Sequence, residues 1–222
     1  MNIDLERARF NMVEQQIRPW EVLDTRVLDL LHKVKREEFV PAAYKALALA
    51  DLEIPLGHGE FMLTPKLEAR MLQELAVTSE DRILEVGTGS GYMTALLASQ
   101  GAHVYSVDIV DDFVRAAGER LAQHGLRNVT LEQGDAARGW DKYGPYEVIV
   151  LTGSVPVLAE AFQQSLNANG RLFAVVGEAP VMEARLITCA GSGTPGGFST
   201  ASLFETCIPA LRNAPQRQRF SF

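Results

Sequence analysis

The chain has 222 residues, 47% of them hydrophobic and 22% charged, and 21 Lys and Arg against 28 Asp and Glu leave a net charge of −7. These proportions suit one globular domain with an extension and exclude a disordered segment or a coiled coil. The acidic balance argues against gripping a nucleic-acid backbone, which asks for a basic patch. No apolar run reaches the ~18–20 residues that span a bilayer, and the charged start Asp4-Leu5-Glu6-Arg7 is not that of a signal peptide, so a cytoplasmic protein without nucleic-acid or membrane partners is expected.

Residues 1–78 read as a helical extension ending in a loop. An amphipathic helix is expected over residues 4–16, with Leu5, Ala8 and Met12 near one face and Pro19 ending it. Thr25 is a plausible cap for a second helix through His32, and Pro41 opens a third over residues 42–49. The Pro and Gly of Ile54-Pro55-Leu56-Gly57-His58-Gly59 mark a loop. Pro65 restarts a helix to Leu75, with Leu67, Met71 and Leu75 four apart.

Residues 79–222 alternate strand and helix patterns. Apolar strands are expected at residues 82–86, 103–107, 129–132, 147–151 and 171–176. The clearest intervening helix is 111–124, with Phe113, Ala117 and Leu121 on one face and Gly125 stopping it. This alternation means a doubly wound, mostly parallel sheet. Two further strand patterns, 184–189 and 203–208, are too close in sequence for a helical crossover and should pair antiparallel. The glycine-rich stretch at 191–197 is followed by neither Lys-Ser/Thr nor a helix, so it reads as their turn and not as a phosphate loop. Cys189 and Cys207 lack metal-ligand spacing and are expected to be buried thiols in a reducing compartment, with no metal site.

The chemistry concentrates where the first of these strands turns into a helix, Glu85-Val86-Gly87-Thr88-Gly89-Ser90-Gly91. In a parallel sheet ligands bind beyond the carboxyl ends of the strands. A dinucleotide fingerprint needs glycine at the sixth position counted from Gly87, and Tyr92 stands there. A carboxylate at Glu85 would also repel a pyrophosphate and attract a cation, which fits S-adenosylmethionine. Asp108, ending the second strand, can accept both ribose hydroxyls, with Ile109 beside it. After the third strand, Asp135 can accept from an adenine amino group, and the Ala136 N–H can donate to the ring.

These motifs resemble the protein-L-isoaspartate O-methyltransferase family of S-adenosylmethionine-dependent methyltransferases. The loop from Leu84 to Tyr92 carries the resemblance, and so do Met12-Val13-Glu14-Gln15-Gln16-Ile17 and Lys35-Arg36-Glu37-Glu38-Phe39-Val40-Pro41 in the extension. The resemblance implies a Rossmann-like, seven-stranded α/β sheet whose last strand is antiparallel, and methyl transfer to a carboxylate of isoaspartyl protein or peptide. On the substrate side it implies roles for the positions of Leu63, Thr64 and Thr152. The family's serine, whose hydroxyl helps hold the substrate, is replaced by Leu63, which has no donor. Thr64 is one residue away, Glu60 puts an acid in place of a neutral amide, and Thr152 is kept in type. A diverged enzyme with another acceptor and a non-catalytic S-adenosylmethionine-binding module stand as alternatives, and a nucleotide-dependent oxidoreductase is disfavoured by Tyr92.

Overall fold

A computed structural model describes residues 4–190 and 197–217. Seven strands form one sheet: β3 (Arg82–Val86), β4 (His103–Asp108), β5 (Val129–Gln133), β6 (Tyr146–Leu151), β7 (Leu166–Glu178), β8 (Val181–Cys189) and β9 (Phe198–Thr206), in the order β5-β4-β3-β6-β7-β8-β9. The strands β3 to β7 are mutually parallel. The chain then doubles back: β8 is antiparallel to β7 and β9 antiparallel to β8, from Met182↔Thr206 to Cys189↔Phe198. The turn expected at residues 191–196 lies outside the described residues. The order reverses between β3 and β6, and a crevice opens there at the carboxyl ends, where such sheets bind ligands.

Strand alternation sets what each face buries. Leu84 and Val86 face one core cluster with Ile149, Leu151 and Phe162 of α6 (Glu160–Gln164). Ile83 faces the other, with α3 (Pro65–Leu75), α4 (Tyr92–Ala98) and α5 (Asp111–Gln123). In α5 the buried residues are Phe113, Ala117 and Leu121, the expected stripe. The N-terminal extension shares this second cluster through residues such as Met12 and Leu31, and so does Ile208 after β9.

The extension differs from its expected form in four places. The first helix is α-helical only as α1 (Leu5–Asn11); it widens into a π-helical segment, Met12–Ile17, and tightens into a 3-10 turn, Arg18–Trp20, so Pro19 lies inside the helical path. The cap of α2 (Thr25–Lys33) is Asp24, whose carboxylate accepts from the Arg26 N–H, and not Thr25. Residues 42–47 form a 3-10 helix. The segment expected as a loop is a hairpin, β1 (Ile54–Gly57) with β2 (Glu60–Met62), because Gly57, His58 and Gly59 all take positive φ and turn the chain at once. No helix of the described residues is long and apolar enough to cross a membrane. Cys189 is half-buried and Cys207 exposed, not buried as expected, since Cys207 follows the edge strand.

Candidate active site

A cleft of about 710 Å³, counting its solvent-open mouth, lies at the carboxyl ends of β3, β4 and β6. Its floor is the β3–α4 loop. Gly87 sits at φ +100°, and a Cβ there would meet the Thr152 Oγ1 at 2.2 Å. That hydroxyl donates to the Val86 and Gly87 carbonyls, at 2.9 and 2.7 Å, tying the loop to the end of β6. Side-chain-free backbone at Gly87 and Gly89 therefore forms the cavity wall.

Asp108 borders the cavity at the end of β4. Its Oδ2 accepts the Gly89 N–H and its Oδ1 the Val110 N–H, both at 2.9 Å. Burial pushes this carboxyl up from its ordinary value, against the pull of those backbone donors. Each oxygen keeps one lone pair, enough for two vicinal hydroxyls. Asp135 lines the same cavity beside Ala136; its Oδ1 accepts the Ala137 N–H at 3.1 Å and its Oδ2 the Asn213 side chain at 2.8 Å. Ile109, Val110 and Phe113 add an apolar wall.

Three of the residues expected to touch the cofactor do not face this space. Glu85 is fully buried on the α4 side of β3, because alternation turns it away from its neighbours Leu84 and Val86. Its Oε2 accepts the Thr94 hydroxyl at 2.5 Å and the Ser106 hydroxyl at 2.6 Å. Burial pushes its carboxyl up to about 8, so it offers no anion to a ligand near neutral pH. The Thr88 hydroxyl lies 2.6 Å from that of Ser106 and, with the Ser106 proton committed to Glu85, donates inward. Gly91 caps α4, and a Cβ there would stand 3.0 Å from the Cβ of Ala117 in α5. These residues shape the loop from behind.

From the extension, Leu63 is buried and borders the same cavity, its carbonyl accepting Arg36 Nη2 at 2.6 Å. Thr64 does not line the cavity; it precedes α3, and its backbone carbonyl accepts from Leu67 and Glu68. Glu60 is not a lone acid: its Oε1 accepts Arg212 Nε at 2.7 Å, which offsets the repulsion expected for an anionic substrate. His58 bonds Asp112 Oδ2 at 3.0 Å, and His103 bonds Thr130 across neighbouring strands.

The segment after β9 completes the site. The Ser154 N–H donates to the Pro209 carbonyl at 2.8 Å and the Leu211 N–H to the Ser154 carbonyl at 2.9 Å, laying residues 209–212 along the cavity. No sequence signal links Arg212 to Glu60, which lies 152 residues away. Phe113 was legible only as a core position.

The donor set fits S-adenosylmethionine. Two carboxylates with spare lone pairs suit its ribose and adenine, and among the described lining residues three acids outnumber one cation, Arg212, which disfavours a pyrophosphate. The family model described as Protein-L-isoaspartate(D-aspartate) O-methyltransferase matches residues 7–192. The chain is 35% identical over 206 residues to the protein-L-isoaspartate O-methyltransferase of Gloeobacter violaceus, covering 92% of this chain and 99% of that one. It is 39% identical over 171 residues to that of Methanoculleus marisnigri, covering 77% and 78%. A Plasmodium falciparum protein-L-isoaspartate O-methyltransferase structure in complex with S-adenosyl-L-homocysteine superposes with a TM-score of 0.78 at 19% identity, covering 95% of this chain and 99% of that chain. A second structure of that enzyme type gives 0.75 at 21% identity, covering 93% and 65%. At these identities the two structures speak for the fold.

Proposed function

The chain belongs to the protein-L-isoaspartate O-methyltransferase family, and from that premise we propose how its residues divide the work. It is an S-adenosylmethionine-dependent methyltransferase acting on isoaspartyl protein. In our reading residues 79–222 hold the cofactor and residues 1–78 supply much of the substrate side. Asp108 accepts the ribose hydroxyls, Asp135 and the Ala136 N–H recognise the adenine, and Gly87 and Gly89 let the cofactor lie against backbone. Glu85, Thr88 and Gly91 support that loop without touching the ligand. The observation that carries this division is that Asp108 and Asp135 of the sheet and Leu63 and Glu60 of the extension border one and the same cavity.

When bound, S-adenosylmethionine supplies an electrophilic methyl: an acceptor carboxylate oxygen bonds its carbon as the carbon–sulfur bond breaks, the electron pair stays on sulfur, and no proton moves. A carboxylate is already ionised at neutral pH, so this chain need provide no general base. Its contribution is in-line positioning in a site walled by Leu56, Leu63 and Leu211. Thr152 acts through the loop it pins, since its one proton is already donated, and Thr64 acts at most by starting α3. Two unpaired cysteines suit a reducing cytoplasm as the place of action.

The test is methyl transfer from labelled S-adenosylmethionine to a synthetic isoaspartyl peptide beside its aspartyl twin. The isoaspartyl peptide should be methylated and its twin left nearly untouched. Methylation of neither peptide, or of both equally, would overturn the acceptor assignment.

A further inference from the structure

We propose that Arg212 receives the carboxylate of the acceptor, a specificity role that rests on the carboxylate-methylation reading above. Among the described residues lining the cavity it is the one cation, against three acids, Glu60, Asp108 and Asp135. Of the charged side chains lining that space, this guanidinium is the one that attracts an anionic acceptor. The remaining side chains on the wall around Glu60 offer no alternative donor. Leu56, Phe61, Leu63 and Leu211 have none, and the Thr152 hydroxyl proton is directed at the Val86 and Gly87 carbonyls.

The guanidinium is held ready without being used up. Its Nε donates to Glu60 Oε1 at 2.7 Å and its Nη2 to the His58 carbonyl, so one edge faces the hairpin, while Nη1 makes no hydrogen bond among the described residues. The residues on either side are pinned, Leu211 by its N–H to the Ser154 carbonyl and Asn213 by its side chain to Asp135. This places Arg212 between the hairpin wall and the cofactor wall, 43% exposed at the side chain. A planar fork of this kind suits a carboxylate. The same geometry separates substrate from product. The acid carries the charge that Arg212 attracts, and the methyl ester has lost it. Glu60 is then a resident competitor, on which the guanidinium rests when no acceptor is present.

The experiment titrates the isoaspartyl peptide into the full chain saturated with S-adenosylhomocysteine, by calorimetry, and follows methyl transfer in parallel. Arg212→Gln should weaken peptide binding and raise KM about 10- to 150-fold, the worth of a hydrogen bond to a charged group, with Arg212→Lys recovering part. Its affinity for S-adenosylhomocysteine should change less than about fivefold, the worth of a half-exposed ion pair. Added salt should raise KM more steeply in the wild type than in Arg212→Gln. Glu60→Gln should tighten peptide binding by removing the competitor. Equal peptide affinity in wild type and Arg212→Gln, while both still methylate the peptide, would overturn the role of Arg212 and leave the functional reading intact. Parallel loss of S-adenosylhomocysteine binding in Arg212→Gln would make the residue structural and overturn the proposal. A wild type that binds S-adenosylhomocysteine but neither binds nor methylates the peptide would overturn the functional reading, and the proposal with it.

Discussion

Asp108 and Glu85 are both acids at strand ends near one glycine loop, yet their environments divide them. Asp108 lies where β4 has ended and its carboxylate turns toward the cavity, so substitution should act on the ligand. Asp108→Ala should weaken S-adenosylhomocysteine binding by about 1.5–3 kcal/mol, and calorimetry showing equal affinity would remove Asp108 from the site. Glu85 should instead act on stability. Its carboxyl in the folded chain titrates near 8 against an ordinary 4.5, chiefly because burial opposes its charge, with Asp108 and Glu68 pushing the same way. A folded pKa above the unfolded one means that the stabilisation is full below pH 4.5 and is lost as pH rises through about 8. Urea unfolding of the wild type should therefore weaken across that window, by on the order of 5 kcal/mol if Glu85 acts alone. Glu85→Gln should make the decline shallower, leaving the part that the raised Glu68 carboxyl contributes, and an unchanged slope would show that Glu85 does not titrate in that window. The acid before the glycine loop was legible in the sequence. Its direction was not, because a single residue of register decides which face of a strand a side chain takes.

The β3–α4 loop works as a unit with the end of β6. Thr152 holds the Val86 and Gly87 carbonyls, and Gly87 leaves no room for a side chain against it. Gly87→Ala should therefore displace Thr152 as well as strain the backbone, costing about 1–3 kcal/mol of stability together with S-adenosylhomocysteine affinity. Thermal unfolding with and without S-adenosylhomocysteine measures both, and an alanine variant with wild-type values would show that the loop tolerates a Cβ. The β1–β2 hairpin illustrates the opposite case. Its Gly-His-Gly signal was readable as punctuation, but whether such a turn joins paired strands depends on partners three to eight residues apart, from Gly57↔Glu60 to Ile54↔Met62.

The extension is held together by buried charge as well as by apolar packing. Arg36, with no exposed side-chain surface, pairs with Glu68 of α3, donates to the Ala48 carbonyl at 2.8 Å and holds the Leu63 carbonyl of the cavity wall. Burial pushes Glu68 up to about 7 against the pull of Arg36. Removing one partner of such a pair leaves the other stranded in the core, so Arg36→Met should cost about 3–5 kcal/mol in denaturant unfolding. Arg36→Met with Glu68→Leu should recover much of that loss. A double variant no better than Arg36→Met would place the cost in the two lost carbonyl contacts instead of the stranded acid.

Periodicity and spacing settled the order of strands and helices from β3 to α5, the antiparallel return of β9 on β8, and the positions of Asp108 and Asp135. Those features depend on residues close in sequence, where a repeat of 2 or 3.6 and a strand end can be read directly. The tertiary structure alone decided that Glu85 and Thr88 turn inward, that Glu60 has a counter-charge, and that residues 209–212 close the cavity. Each of these depends on groups brought together across the fold, as with Arg212 and Glu60 or Thr152 and Gly87, and no local pattern encodes which distant side chain will arrive.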